Sequence, residues 1–278
     1  MINLWKWHID YYKKSLDSKK DNQISMTLTD SNQQEFFKKE GYLIVENLLS
    51  VIEVEKYISI YDRFLNGDID AGDKRSDLGT NGGTEITGKE NITQIMWPSA
   101  LYPEFTSMVY HQEALTIAQQ LLGNDIAIDF DMLINKSPHT ATQTPWHQDA
   151  AYWVDLPDKR AVSCWLALNE STVDNGCMWY VPGSHLEKMR KHKAITEGGA
   201  LVCEASESEG IAIPLKPGSC VFHAGNTLHY SRGNTTSLNR KAFIINLRPE
   251  DMILMEREKG MDHGLTENKR TFRNEGSK

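Results

Sequence analysis

After Gly123 the hydrophobic period of the chain changes from helical to alternating, and this switch constrains the fold more than any other feature. Ile126, Ile128, Phe130, Met132 and Ile134 alternate with Ala127, Asp129, Asp131, Leu133 and Asn135. That is the period of a strand with one apolar and one mostly polar face. Strand-like runs follow, "AVSCWLAL", "MWYV", "IAIPL", "SCVFHA" and "AFIINLR", separated by the turn signals "VDNG", "PGS", "KPGS" and "RGN". Several short strands with no long helix between them predict an antiparallel barrel or sandwich of the jelly-roll class.

The helical stretches cluster before residue 123 and are expected to pack outside one sheet. Asp30 or Ser31 caps "NQQEFFKKE", which Gly41 stops. "YLIVENLL" is a short strand, "VIEVEKYISIYDRFLN" is a helix ending at Gly67, and "ALTIAQQLL" is another. Residues 1–25 suggest a loosely attached helix. The Gly-, Asp- and Thr-rich segment from Asp68 to Asn91 reads as a long loop able to cover a site, and the tail after Pro249 could do the same. No linker divides the chain, so one domain over 1–278 is expected, with a core of roughly 27–250.

Composition narrows the function. The net charge is -8, from 30 basic and 38 acidic side chains, which argues against nucleic acid as a partner. Cys164, Cys177, Cys203 and Cys220 are widely spaced and read as reduced thiols. No secretory leader is evident, and no run approaches the roughly 18 apolar residues of a membrane span. A cytoplasmic protein acting on a small molecule, with no membrane partner, is the expectation.

The stretch "TPWHQD" places His147 and Asp149 two residues apart. Such a pair alone is also an ordinary hydrogen-bonded loop motif. A third ligand far downstream would complete the set of two histidines and one carboxylate that holds Fe(II) with coordination positions open. "CVFHAGNTLHYSRGNTTSLNRKAF" offers His223 and His229. A keto-acid cosubstrate on such a metal needs a cation for its far carboxylate, and a guanidinium suits the planar geometry. Arg240 stands 11 residues after His229, whereas no arginine has the matching spacing from His223. Ser231 falls on the same side as His229 if the segment is extended. Asp131 and Leu133 share the polar face of their strand with Asn135, so all three are expected to look into the cavity. Asp131 would then contact substrate, an amine or amidine, or pair with a lysine in the sheet. Tyr152 and Trp153 either wall the pocket or belong to the core. His185 is expected to order its turn and His139 to lie on a surface loop. "LEKMRKHK" is expected to be a solvated helix face.

The pieces "GYLIVENLLS", "INKSP", "PWHQD", "CWLAL", "NGCMWYVPGSH", "LKPGSCVFHAGNTLHYSRGN" and "RKAF" occur in this order over roughly residues 27–248. Together they resemble the phytanoyl-CoA dioxygenase family of Fe(II)/2-oxoglutarate oxygenases, which includes the ectoine hydroxylases. The resemblance implies a mainly β fold with helices, a double-stranded β-helix, and Fe(II), 2-oxoglutarate and O2 as cofactor and cosubstrates. It implies His147, Asp149 and His229 as iron ligands, and Arg240 and Ser231 as holders of the cosubstrate's far carboxylate. Trp165 would pack on the cosubstrate, and Asn135 and Thr144 would touch it. Gln94 stands where phytanoyl-CoA hydroxylase has a cosubstrate-binding lysine, a departure from the pattern. Asp131 and Trp153 match substrate positions of ectoine hydroxylases. Related halogenases carry a small residue in place of Asp149, so its presence implies hydroxylation of an unactivated C–H bond, with succinate and CO2 as coproducts. Desaturation, ring formation and epimerisation use the same chemistry. The alternatives are a barrel that binds metal or metabolite without turnover, and a cupin using another metal without 2-oxoglutarate.

Overall fold

The computed structural model describes residues 29–79, 90–195 and 200–266. The expected helix in residues 1–25, the middle of the Asp68–Asn91 loop and the last residues of the tail lie outside them. In chain order the elements are helix α1 (Ser31–Glu40), β1 (Tyr42–Val45), α2 (Val51–Asn66), β2 (Arg75–Asp77), β3 (Ile92–Met96) and α3 (Val109–Leu122). Then come β4 (Ile126–Lys136), β5 (Thr144–His147), β6 (Val162–Ala167), β7 (Met178–Tyr180), β8 (Lys193–Ala194), β9 (Leu201–Val202) and β10 (Ile211–Ile213). The chain closes with β11 (Cys220–Ala224), β12 (His229–Ser231), β13 (Arg240–Pro249) and α4 (Glu250–Glu258). The "LEKMRKHK" stretch is not a helix; its first residue ends a 3-10 turn at Ser184–Leu186, its last begins the short strand β8, and the residues between are irregular.

The two early helices start where their capping chemistry dictates. Asp30 accepts from the Gln33 backbone while the Gln33 side chain accepts from the Asp30 N–H, and Ser50 and Glu53 repeat the arrangement for α2. Gly41 and Gly67 end them at φ of 78° and 83°, conformations that side chains rarely adopt.

Seven strands form a large sheet in the order β1-β11-β6-β13-β4-β3-β2, and four form a smaller one, β10-β7-β12-β5. The helices cover one face of the large sheet. Tyr57, Phe64, Tyr110 and Ile117 bury themselves there against Leu133, Leu166, Phe222, Phe243 and Leu247. The other face meets the small sheet, packing Trp165, Val221, Ala242 and Ile244 on Met178, Tyr180 and Ile213. The fold is the mainly antiparallel jelly roll that the strand pattern predicts, with its helices outside the large sheet as expected.

One expectation fails in an instructive way. β13 pairs with β4 until Asn246 meets Phe130, and then Leu247 meets Ile128, leaving Asp129 as an extra residue. A one-residue bulge inverts every side chain beyond it. Phe130, Met132 and Ile134 therefore face the small sheet, while Ile126 and Ile128 join the helix-side core. Asp131, Leu133 and Asn135 face the helices and do not line the cavity, contrary to the reading from alternation. Leu133 is core. Asp131 pairs with neither lysine nor cavity; its Oδ2 lies 3.1 Å from Nε2 of His111 on α3. Asn135 donates to the Asn239 side chain at 3.1 Å.

The bulged Asp129 anchors α4. Arg248 Nε donates to its Oδ2 at 2.7 Å, Arg257 pairs with its Oδ1, and both arginines also hold Glu256. His263 Nε2 lies 3.1 Å from Glu256 and 3.4 Å from Asp129. Burial alone would raise the Asp129 carboxyl, but Arg248, Arg257 and His263 outweigh it and hold it well below the ordinary carboxylate range. With a depressed folded value, its contribution to stability is present above the unfolded carboxylate range and is lost as pH falls toward the folded one. Removing one partner of a buried pair leaves uncompensated charge. Asp129→Ala should therefore lower stability by about 3–5 kcal/mol at neutral pH, read from urea denaturation midpoints. A loss under about 1 kcal/mol would mean that the arginines need no counter-ion here.

Candidate active site

β5 and β12 run antiparallel at the edge of the small sheet, and their register sets His229 opposite His147 and Ser231 opposite Thr144. Pro145 is tolerated because β5 is the outermost strand, where a missing N–H breaks no ladder. The imidazole rings stand 4.1 Å apart. Each Nδ1 faces a carbonyl two residues earlier in the chain, Pro145 O at 2.7 Å and Thr227 O at 2.9 Å. A carbonyl only accepts, so each Nδ1 carries the hydrogen and each Nε2 presents a lone pair. Asp149 opens a 3-10 turn after β5, and its Oδ1 lies 3.6 Å from His147 Nε2 and 3.4 Å from His229 Nε2. The three donor atoms lie within 4.8 Å of one another. The turn is pinned by Ala150 N–H donating to Gly225 O at 2.9 Å. A side chain on Gly225 would run into the Trp153 ring, its Cβ only 2.5 Å away, so this close approach requires glycine.

The second carboxylate oxygen has separate partners. Ser163 Oγ donates to Oδ2 at 2.6 Å and His223 Nε2 lies 3.2 Å from it. Tyr180 O–H stands 3.1 Å from the other His223 nitrogen. His223 thus braces Asp149 and does not join the three-donor set. Burial opposes ionisation of Asp149, yet His229, His147 and His223 hold its carboxyl well below its ordinary value. Burial and the neighbouring His229 push His147 down, which favours the neutral imidazole a metal needs. Two imidazole nitrogens and an oriented carboxylate fit a divalent iron. Neither Ser163 nor His223 was identifiable as a brace, because the sequence does not show that they face each other across β6 and β11. His223→Leu should weaken metal binding about 10–100-fold without abolishing it, as for other residues that orient a ligand. Anaerobic Fe(II) titration of the variant tests this, and an unchanged affinity would remove the bracing role.

A second group of donors, on Asp129, Glu256 and His263, is equally compact. Two guanidinium groups already balance its carboxylates, so it is an ion-pair network.

Arg240 starts β13 in the same cavity. It is 1% exposed, and its Nε and Nη1 have no hydrogen-bond partner. Its guanidinium lies 5.2 Å over the Trp165 ring. Burial lowers its pKa to about 10, which leaves it cationic at neutral pH. Opposite it in register is Lys136, also fully buried, donating to Ser231 O at 3.2 Å and to Arg232 O at 2.5 Å. Among the described residues neither cation has a carboxylate within ion-pair distance. Lys136 was missed because nothing in the sequence marks which face of its strand it takes, and only the register reveals its neighbour. Ser231, Thr144, Trp165 and Gln94 line this cavity, as do Tyr152 and Trp153, whereas Asn135, Asp131 and Leu133 do not. His139 is exposed in a turn, and His185 contacts Lys38 O at 3.1 Å, both as expected of structural histidines.

A metal-ready triad beside an anion socket, inside a jelly roll, defines the class of keto-acid-dependent non-haem iron oxygenases. The chain belongs to the phytanoyl-CoA dioxygenase family, whose model matches residues 37–242. It is 24% identical over 263 residues to the Danio rerio phytanoyl-CoA dioxygenase domain-containing protein 1, covering 79% of this chain and 90% of that one. The Bos taurus protein of the same name is 26% identical over 156 residues, 53% of this chain and 54% of its own length. The match thus spans about half of that mammalian relative. Among solved structures, EvdO2 from Micromonospora carbonacea var. aurantiaca, complexed with 2-oxoglutarate, superposes with a TM-score of 0.66 at 27% identity, covering 80% of this chain and 91% of that one. EctD from S. alaskensis, with 2-oxoglutarate and 5-hydroxyectoine, shares the fold at 22% identity and a TM-score of 0.65, over 84% and 82% of the two chains. No helix among the described residues is long and apolar enough to cross a membrane.

Proposed function

We propose that this protein is an Fe(II)- and 2-oxoglutarate-dependent dioxygenase that oxidises an unactivated C–H bond of a small molecule, with hydroxylation as the outcome. One oxygen atom of O2 goes to the product alcohol and the other to succinate, as 2-oxoglutarate loses CO2. The observation that carries the reading is Arg240, a buried cation with two unpartnered donors, in the same cavity as the three converging ligands. An unpaired buried guanidinium is costly unless an anion completes it.

His147 and His229 would hold the iron through Nε2, and Asp149 through Oδ1, while Ser163 and His223 keep its other oxygen turned away. Bound Fe(II) supplies open coordination positions and the redox capacity to activate O2. Arg240 would take the far carboxylate of 2-oxoglutarate, with Ser231 and Thr144 beside it on facing strands. Trp165 backs the cosubstrate, and Gln94 occupies the neighbouring wall. The apolar remainder of the cavity keeps bulk water from the reacting carbon.

The test is succinate formation from 2-oxoglutarate by the full chain with Fe(II) and ascorbate, together with calorimetric binding of 2-oxoglutarate under anaerobic conditions. Binding with slow uncoupled succinate release supports the proposal. Absence of both would leave a barrel of another purpose.

A further inference from the structure

The cavity encloses about 240 Å³ and extends well past the cosubstrate end. Arg240 and Asn246 both face it from β13, six residues apart, which is roughly 20 Å of strand. The end near Asn246 is walled by Met96, Phe130, Met132, Trp153 and Met261. Among the described residues the charged side chains lining the cavity, histidines aside, are Asp149 and Arg240, both assigned above to metal and cosubstrate. His263 also faces this end, but its Nε2 is turned to Glu256 and Asp129.

The wall on this side is a built surface. After α4 the chain turns back over the cavity, and His263 stacks on Phe130 at 4.1 Å. Trp97 Nε1–H donates to His263 O at 3.1 Å, Lys74 Nζ to Gly264 O at 2.9 Å, and Arg257 Nη1 to Met261 O at 3.0 Å. Trp97 and His263 both sit at left-handed φ, 56° and 53°. Such conformations are strained for residues with a side chain and persist where surroundings over-determine them.

We infer that this lobe admits an uncharged, largely apolar molecule, and that the strap carrying Met261 and His263 sets its size. An ionised group placed here would lose its hydration with no counter-charge to replace it. Thioethers and aromatic rings instead offer polarizable contact to a carbon skeleton. The amine or amidine ligand expected from Asp131 has no basis, because that carboxylate lies behind the sheet. The inference rests on the dioxygenase reading in taking this lobe as the substrate's.

The test is calorimetric titration of the full chain, loaded anaerobically with Fe(II) and 2-oxoglutarate, with 2-naphthol, 2-naphthoate and 2-naphthylmethylammonium. The neutral probe should bind at least tenfold more tightly than either ion. Met261→Trp, which fills the lobe from the strap, should weaken 2-naphthol tenfold or more. Met96→Glu should shift the preference toward the ammonium probe. Equal or tighter binding of an ion to the native chain, or no binding by any probe, overturns the lobe assignment. An unchanged 2-naphthol affinity in Met261→Trp overturns the role of the strap. The 2-oxoglutarate titration is read separately. If that cosubstrate fails to bind while 2-naphthol keeps its preference, the dioxygenase reading falls and the neutral lobe stands.

Discussion

His229→Ala is expected to lower Fe(II) affinity by more than about 100-fold and to abolish succinate formation. Residues that merely orient a ligand are worth about 10–100-fold in metal affinity, so loss of a ligand itself must exceed that range. His229 contributes one of three donor atoms within 4.8 Å, and the other two cannot enclose an ion alone. The protein should remain folded, because without metal His229 disfavours charge on the adjacent His147 and its removal relieves that pressure. Anaerobic titration with Fe(II), checked by circular dichroism of the variant, gives the answer. The comparison with His223→Leu is the sharper test. If His223 were the distal ligand, the order of the two losses would reverse.

Much of this site was legible before the fold. The HxD pair, a histidine far downstream and an arginine 11 residues after it are chemical requirements that leave a trace in spacing. The structure brings these four side chains into one cavity. The Asp30 or Ser31 cap and the glycine stops at Gly41 and Gly67 also marked α1 and the end of α2 almost to the residue. What spacing could not show is which way a side chain turns. The alternation from Ile126 to Asn135 looks like one face of one strand, and the extra residue at Asp129 divides it into two. A polar residue in such a run can be the bulge itself, and nothing local distinguishes Asp129 from Asp131. Their fates were decided by distant partners, Arg248 and Arg257 for one and His111 for the other. Lys136, Ser163 and the bracing role of His223 escaped for the same reason. Each depends on register across strands that are far apart in the chain.

Arg240→Met should separate stability from function in a way that few other residues here can. In the absence of cosubstrate the native guanidinium is buried, two of its nitrogens lack partners, and Lys136 lies opposite, its own ammonium disfavoured by burial and by Arg240. Replacing it by an apolar side chain of similar length removes an uncompensated charge and retains the packing on Trp165. Substitutions of this kind in buried ionic sites are neutral or stabilise by about 1–4 kcal/mol. The variant alone should therefore melt at the native temperature or higher. Its 2-oxoglutarate affinity should fall by about 100-fold or more, since a buried charge-assisted pair loses about 3–5 kcal/mol when one partner goes. Lys136 cannot substitute, because its ammonium already donates to Ser231 O and Arg232 O. Thermal melts with and without 2-oxoglutarate make both halves visible, since ligand that binds the folded state raises the transition in proportion to its occupancy. The native chain should gain stability on adding the keto acid and the variant should not. A variant that is destabilised yet still stabilised by 2-oxoglutarate would place the carboxylate elsewhere and leave Arg240 a structural residue.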